Sequence, residues 1–185
     1  MTTDSGFSGV LAAAREGAEW AWELLIRDLT APLVGFFRAR GSTDPENLAG
    51  EVYLDVAKGL RRFEGTESGF RSWVFVIAHR RLVDERRRNK RRPEETTSHG
   101  DLPATHRMSS AEDEALDRLG GDEVQALLGA LTADQRDVLL LRIVADLSLE
   151  ETATVVGKRV GAVKALQRRA LEALRREIRV QGVSR

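Results

Sequence analysis

The sequence predicts an all-α protein in which two small helical domains are joined by an acidic, flexible linker. Apolar residues recur at every third or fourth position through long stretches of the 185-residue chain, which is the spacing of a buried helix face. Residue types that cap helices stand where these stretches begin. A polar segment rich in turn-forming residues, 93–123, separates the predicted domains 1–92 and 124–185.

The N-terminal part is predicted to be helical throughout. A first helix covers 12–29, and Pro32 is expected to interrupt it and to start a new helix that runs to Phe37. Asp44 and Pro45 are typical of an N-cap and a first helical position. The helix that they introduce has one apolar face, formed by Leu48, Val52, Val56 and Leu60. A longer amphipathic helix follows, with an apolar face formed by Phe70, Trp73, Val74, Ile77, Ala78 and Leu82.

The C-terminal part is predicted to contain a helix-turn-helix. Thr132 with Gln135, and Ser148 with Glu151, have the spacing of capping boxes at two helix starts. Gly157 suits a left-handed helix end. A second, longer helix then begins near Val160, and its apolar side is formed by Val163, Leu166, Ala170, Leu174 and Ile178.

Charge is unevenly distributed along the chain, although 29 Lys and Arg residues balance 29 Asp and Glu residues. Eight basic and two acidic residues give segment 80–92 a net charge of +6, and segment 158–179 has the same balance. Nine acidic and two basic residues give segment 93–123 a net charge of −7. Two basic blocks around an acidic one indicate surfaces with different partners, of which nucleic acid fits the basic ones.

The second basic block lies on the predicted second helix of the helix-turn-helix. If its apolar side faces inward, cations lie outward or flank it, as on a recognition helix that meets base edges and phosphates. Lys158 and Arg159 lie at its N-terminal approach. A solvated basic helix that packs on a bundle is the alternative, and the net charge favours DNA binding.

The first basic block follows a helix that bears aromatic residues. By itself, a run such as RRRNKRR is often a solvated tail or a nonspecific phosphate-binding patch. Aromatic rings beside cations can also stack on the exposed bases of single-stranded nucleic acid. Phe63 and Phe75 are the candidates for stacking, whereas Trp73 is expected in the core because it lies on the apolar face.

Several motifs, in order, resemble bacterial RNA polymerase sigma factors of the extracytoplasmic-function (ECF) group, the small kind with only the second and fourth conserved regions. The resemblance covers most of the chain, from residue 12 to residue 179. Its N-terminal motifs are AAAREGAEWAWELLIR, DPENLAGEVYLDVAKGL and FRSWVFVIAHRRLVDERRRNKRRP. Its C-terminal motifs are LTADQRDVLLLR, LSLEETATVVG and VGAVKALQRRALEALRR.

The resemblance implies a region 2 helical bundle over 1–92 and a region 4 helix-turn-helix over 124–185. The implied partners are core RNA polymerase, through the clamp helices of its largest subunit and the flap of the second largest, promoter DNA, and an anti-sigma factor. The polymerase-facing residues would be Asp44, Glu46, Asn47, Glu51 and Asp55. The minus 10 element would be melted and a flipped base captured near loop 63–70, with the site residues Phe63, Phe75, His79, Arg80, Arg87 and Arg88. The minus 35 element would be read by Lys158, Arg159, Lys164, Gln167, Arg168 and Arg169.

Some positions depart from the family pattern. Arg80 stands where the family usually has an Asn that helps read the flipped base, so the usual minus 10 preference does not carry over. Gly50 and Asn47 replace the usual Gln and Asp on the polymerase-facing helix, and a glycine within a helix costs about 1 kcal/mol relative to alanine. Three replacements in the recognition helix leave the minus 35 sequence open: Ala162, Ala165 and Leu166.

The composition argues against an enzyme and against membrane insertion. The chain has no cysteine and only three histidines, two of them in the linker, and these do not have metal-ligand spacing. No glycine-rich loop follows a strand pattern, so no catalytic residue, metal or cofactor is expected. No apolar run approaches the roughly 20 residues that span a bilayer, and the N-terminus does not resemble a signal peptide, so a cytoplasmic location is expected.

The main alternative is a helix-turn-helix transcriptional regulator that binds duplex DNA without core polymerase. Its N-terminal helices would then form a dimerisation or sensing domain, and it would bind paired half-sites. A third possibility is a helical interaction protein in which the basic segments have no role in DNA binding. Binding to core polymerase would distinguish a sigma factor from both of these alternatives.

Overall fold

The structure is a computed structural model that describes residues 4–91 and 124–183, and within these ranges the chain forms helices and turns without a strand. The N-terminal half, residues 4–91, contains α1 (Asp4–Arg15), α2 (Glu19–Ala39), α3 (Pro45–Gly59) and α4 (Glu67–Arg91), with a 3-10 turn at Leu60–Arg62 after α3. The C-terminal half, residues 124–183, contains α5 (Ala133–Ile143), α6 (Leu149–Val156) and α7 (Val160–Val183). A helical segment over 124–129 precedes α5. The linker that the sequence predicts at 93–123 lies outside the described residues.

α3 and α4 pack against each other in the core of the N-terminal half, to which α1 and α2 also contribute buried residues. Both predicted apolar faces are confirmed, because four residues on each helix face are buried. On the α3 side they are Leu48, Val52, Val56 and Leu60, and on α4 they are Phe70, Val74, Ala78 and Leu82. The predicted start of α3 is also confirmed: the Asp44 side chain accepts a hydrogen bond from the Asn47 amide at 3.1 Å, and Pro45 is the first helical residue.

The predicted boundaries of the first helices are wrong. Segment 12–29 is not one helix, because α1 begins at Asp4 and ends at Arg15, and α2 begins at Glu19. Gly17 lies between them with φ +89°, a left-handed conformation that ends a helix and that glycine adopts without strain.

Pro32 does not interrupt α2, which continues through it to Ala39. A proline within a helix removes one backbone hydrogen bond, to the carbonyl four residues earlier. Leu33, Phe36 and Phe37 follow and are completely buried, so continuing the helix keeps a large apolar face in the core. This burial outweighs the lost hydrogen bond.

The helix-turn-helix of the C-terminal half is confirmed in its local details. Thr132 and Ser148 each cap a helix and complete a capping box, with Gln135 and Glu151 respectively. Gly157 ends α6 in the left-handed conformation, with φ +64°. Val163, Leu166 and Ala170 of α7 are buried as predicted. Ile178 is 56% exposed, because α7 continues beyond the helices that cover its apolar side.

The two halves pack against each other. α4 contacts α6, and α2 contacts α5. One hydrophobic core contains residues from both halves, among them Phe75 of α4 and Leu141 of α5. A smaller cluster of Val138, Ala153, Val163 and Leu166 lies within the C-terminal half alone and fixes α7 on α5 and α6.

Candidate nucleic-acid interface

The turn at Gly157 joins α6 to α7 and places the first turn of α7, through Val160 and Val163, against the core of the C-terminal half. The Lys158 amide donates to the Ala153 carbonyl at 3.0 Å, which closes the end of α6. α7 then begins at Val160, with its apolar side held in the core by Val163 and Ala170, both completely buried. The opposite side of the helix is therefore fixed towards solvent.

The predicted minus 35 residues lie on this solvent side or at its edge. Arg159, Lys164, Arg168 and Arg169 are exposed, and Lys158 and Gln167 are half-buried. Two of the cations have a carboxylate partner: Lys158 Nζ lies 2.9 Å from Asp134 Oδ2, and Arg168 Nη1 lies 3.5 Å from Glu172 Oε1. Within the described part of the chain, no ion pair involves Arg159, Lys164 or Arg169, so their charges are available to an anion.

A second candidate surface lies where the 3-10 turn meets α4. The rings of Phe63 and Trp73 stack with centroids 5.1 Å apart and an interplanar angle of 23°, and Phe70 lies edge-on to Phe63 at 5.4 Å. Phe63 and Trp73 are half-buried. The Arg15 guanidinium donates to the carbonyls of Leu60 (3.1 Å) and Phe63, which fixes the start of loop 63–70.

The expectation that Phe75 stacks on nucleic acid is wrong. Phe75 is completely buried and lies edge-on to Phe36 with ring centroids 5.8 Å apart. Trp73 packs against the core, as its place on the apolar face predicts, but it is only half-buried and stays partly accessible beside Phe63. In the sequence, Trp73 belongs to the same apolar helix face as the buried Phe70 and Val74, so periodicity alone does not reveal that it is partly exposed.

The remaining predicted minus 10 residues lie along α4. Arg80, Arg87 and Arg88 are exposed, so three cations line the helix beyond the aromatic surface. His79 differs from them because its side chain is only 20% exposed, with Nε2 3.5 Å from Asp137 Oδ2 of α5. The C-terminal half therefore covers His79.

The predicted polymerase-facing residues line α3 and its N-terminus. Asp44, Glu46 and Asn47 are exposed, and Glu46 forms a 2.7 Å ion pair with Arg38 of α2. Glu51 and Asp55 are half-buried. They are both bound by Arg81 of α4, whose Nη1 lies 3.1 Å from Glu51 Oε2 and whose Nε lies 2.7 Å from Asp55 Oδ2.

Asp55 is held in its charged form. Burial raises the pKa of this carboxyl, but hydrogen bonds from Arg81 and Lys58 and their positive charges lower it by more, so its pKa is below the ordinary value. Leu54 beside it is 63% exposed and shares a helix face with Asn47 and Glu51. Sequence reasoning missed this apolar residue, although its position off the buried face of α3 was a usable signal.

A buried ion pair connects the two halves. Arg40 Nε, at the end of α2, lies 2.6 Å from Asp137 Oδ1 of α5, and Arg40 Nη2 donates to Asp137 Oδ2 at 3.2 Å. Burial lowers the pKa of Arg40 to about 10, and the Asp137 charge opposes this shift. At this pKa, Arg40 is charged at neutral pH.

Within residues 4–91 and 124–183, no cluster of three or more His, Asp or Glu residues is arranged to hold a metal ion. In the same ranges, no helix is both long and apolar enough to cross a membrane.

Two family models match the chain, in the same order as the motifs along its sequence. The model "Sigma-70 region 2" matches residues 26–92, and "Sigma-70, region 4" matches residues 121–174. The helical bundle with α3 and α4 therefore corresponds to region 2, and the helix-turn-helix corresponds to region 4. Together the fold and these matches define an RNA polymerase sigma factor of the sigma-70 type.

Individual relatives identify the group within this class. The chain is 31% identical over 183 residues to the ECF RNA polymerase sigma factor SigD of Mycobacterium tuberculosis (strain ATCC 25618 / H37Rv), an alignment that covers 94% of this chain and 84% of SigD. It is 36% identical over 132 residues to ShbA of Streptomyces griseus subsp. griseus, covering 70% of this chain and 69% of ShbA. The chain belongs to the ECF RNA polymerase sigma factors, which act in promoter-directed initiation of transcription.

A solved structure confirms the fold. CnrH, in complex with the cytosolic domain of CnrY, superimposes with a TM-score of 0.67 over 92% of this chain and 96% of that chain. The sequences are 22% identical, so this likeness concerns the fold alone.

Proposed function

We propose that α7 reads the minus 35 element of a promoter. The single observation that carries this proposal is the division of α7 into a buried apolar side and an exposed cationic side directly after the Gly157 turn. Such a helix fits the major groove, where Arg and Lys bond base edges and phosphates. Arg159, Lys164 and Arg169 are the strongest candidates for these contacts because their charges have no ion-pair partner among the described residues.

The surface around loop 63–70 is proposed to bind the melted minus 10 element. Stacked aromatic rings can receive an unpaired base, and the stacking is worth about 1–3 kcal/mol per base. Phe63 and Trp73 form such a surface, and Arg80, Arg87 and Arg88 continue along α4 as phosphate ligands. His79 belongs to this surface only when the C-terminal half does not cover it.

The outer face of α3 is proposed to bind the clamp helices of the largest polymerase subunit. Its exposed polar residues Asp44, Glu46 and Asn47 are joined there by Leu54, an exposed apolar side chain of the kind that anchors protein interfaces. Glu51 and Asp55 also contribute to this polymerase-binding face, either while Arg81 binds them or after it has released them. The flap of the second-largest subunit is the proposed partner of the C-terminal half.

The catalytic chemistry of transcription belongs to the polymerase, and the proposed place of action is the cytoplasm. An anti-sigma factor is a further proposed partner. The presence of both sigma-70 regions in one chain, 26–92 and 121–174, argues against the alternative of a regulator that binds duplex DNA alone.

The decisive experiment is reconstitution with core polymerase at low salt, followed by transcription from genomic fragments. We expect binding to core and initiation from a subset of fragments. Failure to bind core, together with dimeric binding to duplex DNA alone, would establish the regulator instead. Leu54→Ala should weaken core binding, whereas Leu24→Ala, which truncates an exposed leucine on α2, should not.

DNA binding by α7 is tested with Lys164→Ala and Arg168→Ala. Each should weaken binding to the minus 35 element, leave core binding unchanged and reduce the salt dependence of DNA binding by about one counterion. Arg179→Ala is the matched control because Arg179 is an exposed cation near the far end of the same helix. Loss of core binding in the Lys164 or Arg168 variant would show that the surfaces are misassigned.

A further inference from the structure

The contact between the two halves contains charge at its centre. The side chains of Arg40 and Asp137, 97 residues apart in sequence, are only 3% and 8% exposed. One hydrogen bond, from Arg40 Nη2 to Asp137 Oδ2, joins them. The shorter contact, from Nε to Oδ1, does not have hydrogen-bond geometry and leaves both atoms without a protein partner. His79 of α4 adds a third polar group at 3.5 Å from Asp137.

Polar contacts around this pair extend the interface across the proposed minus 10 surface. Ser68, within loop 63–70, hydrogen-bonds Glu151 of α6, and Arg71 Nη1 donates to the Ala145 carbonyl at 3.4 Å. Gln125 Nε2 donates to the Arg38 carbonyl at 3.1 Å. The C-terminal half therefore covers part of the surface that would receive melted DNA.

This closed arrangement is too compact for a chain that reads both promoter elements at once. Elements centred about 25 base pairs apart are separated by about 85 Å of B-form DNA, at 3.4 Å per base pair. A compact chain of this length has a radius of gyration of about 16 Å, or roughly 40 Å across. The 32 residues of 92–123 can span at most about 110 Å when extended, so the chain is long enough to let the halves separate.

We propose that the Arg40–Asp137 ion pair, with His79 beside it, is a latch that holds the two halves closed and that must open before both promoter elements are bound. The inference rests on the proposed function. A buried ion pair suits a contact that opens, because both charges regain their hydration when the halves separate. A purely apolar contact of the same area has no such compensation and would oppose opening.

The latch is tested by measuring the distance between the halves in the isolated protein. Because the natural chain has no cysteine, Glu23→Cys and Thr154→Cys place two spectroscopic labels at exposed positions of α2 and α6 without competing thiols. Asp137→Asn keeps the shape of the side chain but leaves the Arg40 charge buried and unpaired. Asp134→Asn is the matched control, since Asp134 lies on the same helix and pairs with Lys158 within its own half.

We expect a single short distance in the parent protein and in the Asp134→Asn variant. Asp137→Asn should raise the ratio of open to closed molecules by about 100-fold, because removing one partner of a buried pair strongly destabilises the closed state. A long distance in the parent protein, a short distance retained in Asp137→Asn, or equal opening in both Asn variants would each overturn the latch.

A double variant keeps the latch testable if the Asp137→Asn variant does not fold. Arg40→Met with Asp137→Leu removes both charges and replaces them with apolar side chains, which buried ion pairs commonly tolerate. If Asp137→Asn loses its helical circular dichroism, Arg40→Met alone is compared with this double variant: opening in Arg40→Met that is reversed in the double variant supports the latch, and equal distances in the two variants refute it. The distance measurement needs neither polymerase nor promoter. It therefore tests the latch independently of the reconstitution with core polymerase.

Discussion

Two glycines of α3 offer a test of how tightly the aromatic surface is packed. A Cβ atom added at Gly59, the last residue of α3, would lie 2.7 Å from Cζ2 and 3.0 Å from Cη2 of Trp73. A Cβ atom added at Gly50, in the middle of the same helix, would meet no atom within 4 Å. The same substitution, Gly→Ala, is therefore expected to have opposite effects at the two positions.

Two contributions, helix propensity and steric overpacking, determine the expected change in the free energy of unfolding of each variant. Alanine is better than glycine within a helix by about 1 kcal/mol, and both variants gain up to this amount. At Gly59 the Trp73 ring must also retreat by about 0.7 Å to reach an ordinary contact distance of 3.4 Å, and this ring is already packed against Phe63 and the core. Overpacking of this kind costs about 1–3 kcal/mol. Gly50→Ala should therefore stabilise the fold by about 1 kcal/mol, and Gly59→Ala should destabilise it by about 0–2 kcal/mol.

Urea unfolding monitored by helical circular dichroism measures both changes. Because the helix-propensity gain is common to the two variants, the difference between their free energies of unfolding isolates the steric cost at Trp73. Gly59→Ala should also weaken binding of single-stranded minus 10 DNA in the reconstituted complex. Equal stabilisation of the two variants would refute the tight contact between Gly59 and Trp73.

Three further predictions concern α6 and its neighbours. Ser148→Ala removes the N-cap of α6 and should lower the free energy of unfolding by about 1 kcal/mol in urea, whereas Thr154→Ala on the same helix should not. Burial raises the pKa of Glu151, but hydrogen bonds from Ser68 and Ser148 lower it by more, to below the ordinary value of 4.5. The stability that this carboxylate contributes should therefore be complete above pH 4.5 and be lost as the pH falls through its lowered folded-state pKa. Glu151→Gln preserves the capping-box spacing without a titrating group, so its stability, measured between about pH 5 and pH 3, should fall less than that of the parent protein; an identical acid response would refute this assignment.

Features with a local signal were predictable from the sequence. Asp44, Thr132 and Ser148 cap helices through side chains that bond the backbone three residues later, so the residue types and their spacing carry the information. Gly157 was predictable for a similar reason, since a left-handed helix end favours glycine. The two apolar faces of α3 and α4 followed from periodicity alone.

Features that depend on distant residues were not predictable in this way. Pro32 stands within α2 because the buried residues after it belong to the core, which the local pattern does not reveal. Phe75 is completely buried and Trp73 is only half-buried, because exposure along α4 depends on which helices cover it. For the same reason the sequence suggested a candidate nucleic-acid surface on α4 but did not indicate that the C-terminal half covers His79.

The Arg40–Asp137 pair also restricts how this sequence can diverge. Replacing either residue alone leaves the other charge buried without a partner, which is costly, whereas replacing both together is tolerated. Substitutions at these two positions are therefore expected to occur jointly among proteins that keep the closed arrangement. Although separate binding surfaces are proposed for the two halves, their sequences cannot diverge independently at this point of contact.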